Sequence, residues 1–411
     1  MLNKKTPFHL MAKPAGPDCN LACKYCFYLE KEVFFKEQKI HRMNDEVLEA
    51  YIKQYCESQN TPEILFAWQG GEPTLMGVEF FRKAVQLQKK YSAGRPVQNS
   101  FQTNGTLIDN EWCKFLAREK FLIGLSLDGP RHIHDKFRID RGGQPTFDRV
   151  MKALKLMKAH RVDFNTLTCV TRQNAQYALE IYDFLKSTGS TFLQFIPIIE
   201  RKPDDQAAQL GLKLALPPDL AAADDDPRVT PWTVQPQQYG QFLIDIFDEW
   251  VRRDVGNVFV QIFDVMLNGW MDMPPPLCVF AERCGSAMII EHTGDIYACD
   301  HFVYPDFLLG NILQTPMTEL VHSEKQKKFG SDKADKLPEW CRKCDVMFIC
   351  HGECPKHRFI TTPTGEPGLN WLCEGYKMFL HHIDPYMRTM AQLIRSERPA
   401  ADIMAMVPPK R

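Results

Sequence analysis

The cysteines of this 411-residue chain are grouped in a way that indicates metal chemistry. Cys19, Cys23 and Cys26 lie close together, directly after an apolar stretch that predicts a β-strand. Three thiolates cannot complete a tetrahedral zinc site alone, and no histidine lies between them. They can hold three irons of a [4Fe–4S] cluster, which four ligands normally bind, so that the fourth iron is open to a small molecule with an amino and a carboxylate group. A structural zinc loop or a ferredoxin-like loop is the alternative.

A second group of cysteines lies in the C-terminal third of the chain. Its members are Cys278, Cys284, Cys299, Cys341, Cys344, Cys350, Cys354 and Cys373. Eight thiolates are the number that two fully ligated [4Fe–4S] clusters require, and the spacing alone also permits a pair of four-cysteine zinc sites. The other three of the 14 cysteines, Cys56, Cys113 and Cys169, stand apart and are expected to be small buried side chains.

The composition is that of a globular protein and excludes several classes. Apolar residues make up 44% of the chain and charged residues 25%, and the formal net charge is −1. We therefore expect no nucleic-acid partner and no attraction to an anionic membrane. No apolar run approaches the length of a membrane span, and the N-terminal segment lacks the apolar region of a secretory signal. These features predict a cytoplasmic protein, in which disulfides are rare and thiolates serve metal binding or catalysis.

The elements that must position these cysteines alternate between strands and helices up to about residue 200. Six short β-rich runs predict strands: Phe8–Lys13, Glu63–Trp68, Asn99–Asn104, Phe121–Leu127, Val162–Thr171 and Thr191–Ile198. The segments between them have helical periodicity, so the sequence predicts an α/β fold with a parallel sheet and helices outside. Such a sheet is either doubly wound or a barrel, open or closed, and active sites lie at the carboxyl ends of its strands.

The pattern changes after residue 200. Residues 200–235 are rich in Pro, Asp and Ala and indicate a mobile insertion or linker. A helix is predicted over Pro236–Asp254, the chain is rich in loops and cysteines beyond Pro276, and a closing helix is predicted over Tyr376–Ser396.

The first cysteine group, which ends in Cys-Phe-Tyr, resembles the motif of the radical S-adenosylmethionine (SAM) superfamily. The resemblance implies a partial (β/α)6 barrel, with SAM bound to the open iron. The motifs Gly70–Pro73, Thr103–Gly105 and Ser126–Gly129 follow the second, third and fourth strands, where that family binds SAM. By resemblance, Glu72 contacts the amine of SAM and Arg138 its carboxylate. The full set of implied SAM contacts is Tyr25, Gly71, Glu72, Ser126, Arg138 and Ile199.

The second cysteine group resembles the SPASM domain, a loop-rich module with two auxiliary clusters. The resemblance implies one cluster on Cys278, Cys284, Cys299 and Cys354. It implies a second cluster on Cys341, Cys344, Cys350 and Cys373, and hence three [4Fe–4S] clusters in the chain. We expect the barrel over residues 1–235, a linking helix region over 236–275, the SPASM domain over 276–380 and a closing helix and tail over 381–411.

Nearly the whole chain resembles the anaerobic sulfatase-maturating enzymes. The resemblance is carried by Trp68–Pro73, Ser100–Gly105 and Gly294–Asp300, together with the cysteine motifs. It implies oxidation of a Cys or Ser in a C/S-x-P-x-R segment of an unfolded or nascent sulfatase to Cα-formylglycine. In the mechanism that the resemblance implies, a 5′-deoxyadenosyl radical would take hydrogen from the substrate Cβ, Asp300 would accept the proton, and the last electron would leave through an auxiliary cluster. Tyr28 and Gln69 match substrate contacts, and flavodoxin or ferredoxin is the implied electron donor.

Two alternatives remain at this stage. The first is a radical SAM enzyme that forms thioether or carbon–carbon crosslinks in a peptide, although no obvious peptide-recognition domain precedes the first strand. The second is a non-catalytic iron–sulfur electron carrier, although a pure carrier has no use for an open iron.

Overall fold

The computed structural model describes residues 7–37, 39–220 and 227–407. Its strands are β1 (His9–Lys13), β2 (Ile64–Trp68), β3 (Val97–Thr103), β4 (Leu122–Ser126), β5 (Phe164–Val170), β6 (Phe192–Pro197), β7 (Phe259–Val260), β8 (Ala287–Glu291), β9 (Asp295–Tyr297), β10 (Leu308–Asn311), β11 (Arg358–Ile360) and β12 (Leu369–Asn370). The first six agree with the predicted strands to within two residues at each end.

One sheet runs through the barrel and into the C-terminal part of the chain. Strands β1 to β7 lie side by side in chain order, and every neighbouring pair is parallel. This arrangement confirms the predicted six-fold β/α repeat. Beyond β1, strand β8 adds in parallel, with Lys13 beside Glu291, and β9 and β10 continue in antiparallel. The cysteine-rich region is therefore joined to the barrel edge by backbone hydrogen bonds.

The helices cover the outer face of this sheet or lie in the C-terminal region. They are α1 (Asp45–Ser58), α2 (Gly77–Tyr91), α3 (Asn110–Arg118), α4 (Arg131–Phe137), α5 (Phe147–Ala159), α6 (Ala178–Ser187), α7 (Asp205–Gln209), α8 (Pro236–Arg253), α9 (Gln261–Trp270), α10 (Met317–Val321), α11 (Glu324–Asp335), α12 (Glu339–Arg342), α13 (Met347–Cys350) and α14 (Cys373–Arg395). None of the helices in the described ranges has the length and apolar character of a membrane span.

Side-chain caps and apolar faces explain the first barrel helices. The Asn44 side chain accepts from the Val47 amide at 2.9 Å at the start of α1, and Asp109 caps α3 in the same way. The inward face of α1, which includes Val47 and Tyr51, packs with Phe66 of β2 in one continuous apolar core. Burial of these faces against a twisted parallel sheet leaves the carboxyl ends of the strands free to form a site.

Helices α8 and α14, both close to their predicted bounds, pack tightly against each other. A Cβ on Gly375 would lie 2.0 Å from the Pro236 carbonyl oxygen, and one on Gly240 would lie 2.6 Å from the Gly375 oxygen. Only glycine permits so close an approach of two backbones. Because α14 begins at Cys373, this crossing fixes one predicted cluster ligand against the linking helix.

The described part of residues 200–235 packs onto the barrel, where the sequence indicated a linker. It contains α7 and a bridge between Arg201 and Val229. Ala207 and Leu212 are buried against Tyr304 from the C-terminal region. Residues 221–226 of the segment lie outside the described ranges.

Candidate active site and iron–sulfur sites

The loop that carries the first cysteine group is held at the carboxyl end of β1 by its neighbours. The Glu72 amide donates to the Asp18 oxygen at 2.8 Å, and Arg141 Nε donates to the Cys19 oxygen at 2.7 Å. The Gly71 position is crowded, since a Cβ there would lie 2.0 Å from the Asp18 oxygen. The turn after β2 therefore lies directly against the cysteine loop.

The three thiols of the loop are partly buried, and burial raises the pKa of each. Burial, followed by the nearby Glu72 and Cys26, raises the pKa of Cys19 to about 12. Burial also raises the pKa of Cys23 strongly, partly offset by the positive charge of Arg138. Cys26 has a raised pKa for the same reason, burial. Without iron these thiols are protonated at neutral pH, so cluster binding must release protons. Three thiols on one loop are the donor set that a cluster with one open iron requires.

The Glu72 carboxylate is fully enclosed and organises the ends of β2 and β3. Its Oε1 accepts from Thr74 Oγ1 at 2.6 Å and from Thr103 Oγ1 at 2.8 Å, and its Oε2 accepts from the Asn104 amide at 2.8 Å. Burial raises the pKa of this carboxyl, and the hydrogen bonds oppose the shift. The Glu72 side chain already has these partners, and its contact with the SAM amine stays a prediction.

Arg138 lies beside the cysteine loop in a buried ion pair with Asp128. Its Nε is 3.0 Å from Asp128 Oδ2, and the same oxygen accepts from Tyr25 Oη at 2.5 Å. Ser126, at the end of β4, and Ile199, just after β6, are both buried at the same edge of the sheet. The predicted SAM contacts therefore lie on the loop after β1, at the carboxyl ends of β2, β4 and β6, and just after α4.

The residues predicted to handle substrate lie together around a lysine. Lys13 Nζ pairs with Asp300 Oδ1 and donates to Gln69 Oε1 at 2.9 Å. It also lies 4.2 Å from the centroid of the Tyr28 ring. The Tyr28 hydroxyl donates to Glu291 Oε1, a carboxylate that is completely buried at the end of β8. Asp300, Gln69 and Tyr28, which are far apart in sequence, thus form one cluster.

Sequence reasoning did not identify Lys13 or Glu291. A lysine at the carboxyl end of a buried parallel strand was the available signal for Lys13, because that edge of the sheet is where active sites form. No local signal marked Glu291, whose position follows from the pairing of β8 with β1.

Four of the auxiliary cysteines surround a cavity of about 200 Å³ that adjoins the side chains grouped around Lys13. The cavity is lined by Cys278, Cys284, Cys299 and Cys354, together with Asp300 and His301. These four are the set that the resemblance assigned to one cluster. Asp300 therefore lies between the barrel interior and the predicted first auxiliary cluster.

The other four auxiliary cysteines line a separate, smaller cavity. They are Cys341, Cys344, Cys350 and Cys373. No group of three or more His, Cys, Asp or Glu side chains in the described ranges is close enough to hold a single metal ion. Each set instead surrounds a cavity, and four thiols around a cavity are a donor set that fits a [4Fe–4S] cluster.

Two buried cations lie near the auxiliary cysteines. Lys333 Nζ donates to the carbonyl oxygens of Cys278 and Val279, at 2.7 and 2.9 Å. Arg358 is fully buried, and burial lowers its pKa, an effect that thiols of both sets, including Cys341 and Cys354, partly oppose. Positive charge of this kind offsets the negative charge of thiolate-ligated clusters.

The histidines of this region make hydrogen-bonding contacts rather than completing a ligand set. His301 Nδ1 lies 3.5 Å from the Cys354 sulfur, and His357 Nδ1 lies 2.9 Å from Glu353 Oε2.

An open groove of about 490 Å³ leads to the first cysteine group. It is lined by Cys23 and Cys26 on one side and by Leu214 and Trp232 on the other. Residues from the described part of the 200–235 segment, among them Leu214 and Trp232, therefore line the approach to the cluster loop.

Comparison with known protein families identifies the class of enzyme to which this chain belongs. Residues 14–185 match the radical SAM superfamily, and residues 278–345 match SPASM, an iron–sulfur cluster-binding domain. The protein is thus a radical SAM enzyme that binds SAM and iron–sulfur clusters and has an auxiliary-cluster domain.

Relatives that align with nearly the whole chain identify the family within this class. The serine-type anaerobic sulfatase-maturating enzyme of Bacteroides thetaiotaomicron is 45% identical over 97% of this chain and 94% of its own length. The cysteine-type enzyme of Clostridium perfringens is 34% identical over 95% of this chain and 100% of its own. The solved structure of native anSMEcpe with bound AdoMet and Cp18Cys peptide has a TM-score of 0.81 at 34% identity, covering 94% of this chain and 99% of that one. The chain belongs to the anaerobic sulfatase-maturating enzymes.

Proposed function

We propose that this protein oxidises a serine or cysteine in a C/S-x-P-x-R segment of an unfolded or nascent sulfatase to Cα-formylglycine. For serine, the CH₂OH group loses one hydrogen atom from Cβ, one proton from oxygen and one electron, and becomes an aldehyde. For cysteine the same losses give a thioaldehyde, which water converts to the aldehyde with release of H₂S. The observation that carries the proposal is the position of Asp300, which faces Lys13, Gln69 and Tyr28 on one side and the first auxiliary cavity on the other.

We assign three [4Fe–4S] clusters to the three cysteine sets. The assignment is supported by one open loop of three thiols and by two separate cavities with four thiols each. When bound, the first cluster and SAM supply the hydrogen-abstracting radical, and the auxiliary clusters carry the remaining electron to an acceptor. The residues of the chain bind, orient and shield the reactants.

Asp300 is our candidate for the proton acceptor. Its side chain is 24% exposed, so a substrate side chain can reach it. It directly follows Cys299, a proposed cluster ligand, so proton and electron leave the substrate at neighbouring positions. Gln69 and Tyr28 are assigned to substrate contact, since both lie against the lysine that holds Asp300.

Arg138 is assigned to the carboxylate of SAM. A guanidinium beside the cysteine loop, buried with Asp128, provides the charge and the planar geometry that carboxylate binding uses. The turn at Gly71 and Glu72, and Tyr25, Ser126 and Ile199, complete the proposed SAM site.

We propose serine as an accepted target residue. The relative at 45% identity is a serine-type enzyme, whereas the cysteine-type relative from C. perfringens is 34% identical. The groove beside Leu214 and Trp232 is the proposed entry for the extended peptide, and flavodoxin or ferredoxin is the proposed electron donor.

The test is anaerobic incubation of reconstituted enzyme with SAM, reductant and two peptides that differ only in Ser or Cys at the target position. Mass spectrometry should detect formylglycine, and the serine peptide should be converted. If SAM is cleaved while neither peptide changes, the peptide-crosslinking alternative replaces this proposal. If no SAM is cleaved, the electron-carrier alternative does.

A further inference from the structure

Lys13 is the buried lysine at the carboxyl end of β1. Its side chain is 1% exposed, although an ammonium group is costly to remove from water unless it is paired. The hydrogen-bond acceptors of Nζ are Asp300 Oδ1 and Gln69 Oε1, and the Tyr28 ring supplies a third contact. All three partners are residues assigned to proton transfer or substrate contact.

Another buried lysine has a different kind of partner. Lys333 Nζ donates to two main-chain carbonyl oxygens and thereby fixes the backbone around Cys278. Lys13 instead contacts side chains of residues that come from three separate segments of the chain. Such a lysine contributes little to backbone geometry and sets the relative positions of the side chains around it.

We infer that Lys13 is a positioning residue that orients the Asp300 carboxylate, the Gln69 amide and the Tyr28 ring toward the substrate side chain. This inference rests on the proposed function. The network extends further, since Gln69 Nε2 donates to Gln102 Oε1 at 2.8 Å on β3. Through these hydrogen bonds, the ammonium group of Lys13 connects the ends of β1, β2 and β3 with the loop after β9.

The consequence is that Lys13 controls how efficiently SAM cleavage leads to product. Lys13 is not among the residues assigned to SAM, so cleavage of SAM does not depend on it. Loss of alignment between Asp300 and the substrate slows the step after hydrogen abstraction, and a displacement of about 1 Å can cost about a hundredfold.

The experiment compares Lys13→Met and Lys13→Arg with wild type, measuring iron, 5′-deoxyadenosine, formylglycine and the peptide dissociation constant. Lys13→Met should retain iron and SAM cleavage, while formylglycine formed per 5′-deoxyadenosine falls about tenfold to a hundredfold. Lys13→Arg retains the charge and should recover part of this ratio. If Lys13→Met loses iron, Lys13→Gln replaces it, since its amide still donates a hydrogen bond without the charge.

Lys186 provides a matched control. Its Nζ lies 2.8 Å from Asp254 Oδ2 and 4.4 Å from the centroid of the Tyr182 ring, so it makes the same kinds of contact on the outer helices. Lys186→Met should leave the product ratio unchanged.

A double variant separates positioning from general destabilisation. If Lys13 acts through Asp300, adding Lys13→Met to Asp300→Asn should lower the product ratio by less than about twofold more. If Lys13 has a purely structural role, Lys13→Met should cause the same loss in the wild-type and Asp300→Asn backgrounds, and that result would overturn the inference. A wild-type product ratio in Lys13→Met would overturn it as well. Failure of the proposed function is distinguishable, because wild type would then make no formylglycine at all.

Discussion

Replacement of Asp300 by Asn tests the proton acceptor directly. The change preserves the size of the side chain and removes its ability to accept a proton. Asn keeps a carbonyl oxygen for Lys13 Nζ, so the contact with β1 can persist and the fold should be maintained. Hydrogen abstraction from Cβ does not require the carboxylate. The variant should therefore still cleave SAM when reductant is present, yet yield little formylglycine.

The expected magnitude follows from the loss of one general base. Such a loss costs a factor of about 10²–10⁴ in rate, which corresponds to about 3–5 kcal/mol of transition-state free energy. The partial exposure of Asp300 admits water, which can accept the proton slowly, so we expect a value toward the lower end of this range.

The assay is a single-turnover reaction under anaerobic conditions, with 5′-deoxyadenosine measured by chromatography and formylglycine by mass spectrometry. Asp306→Asn, at an exposed position in the same loop region, is the matched control and should behave as wild type. Formation of aldehyde by Asp300→Asn at the wild-type rate would refute the reasoning, because the base would then lie elsewhere and the substrate would not face this carboxylate.

Three further predictions concern the cofactors. Reconstituted protein should contain about twelve irons per chain. Replacing Cys19, Cys23 and Cys26 together by Ala should remove about four of these irons and abolish SAM cleavage. Stoichiometric zinc without sulfide in the reconstituted protein would contradict this prediction. Arg138→Lys should weaken SAM binding about tenfold at unchanged iron content, since an ammonium lacks the planar fork of the guanidinium, and unchanged affinity in a binding titration would remove Arg138 from the SAM site. Because burial raises the pKa of Cys19 to about 12, iron must displace its proton, so cluster loading at fixed iron and sulfide should increase from pH 6.5 to 8.5. Loading that is independent of pH, measured by iron and sulfide content, would contradict that reasoning.

Most of the barrel was predictable because its signals are local. Each of the first six strands is a short β-rich run between helical segments, and each contributes buried side chains to the apolar core. The segment after residue 200 was harder to interpret, since Pro- and Asp-rich sequence has weak periodicity. Its attachment depends on Leu212 reaching Tyr304, a contact with a distant part of the chain that no local pattern encodes.

The chemistry of this protein can be read from its residues in order, because cysteine spacing and strand-terminal motifs specify which atoms can bind metal and where in a β/α repeat they occur. Which side chains meet depends on the folded chain. The pairing of β8 with β1 brings Glu291 beside Lys13, and the loop after β9 brings Asp300 to the same ammonium group. A buried charge is stable only beside partners that come from distant segments, so its position is a property of the folded chain.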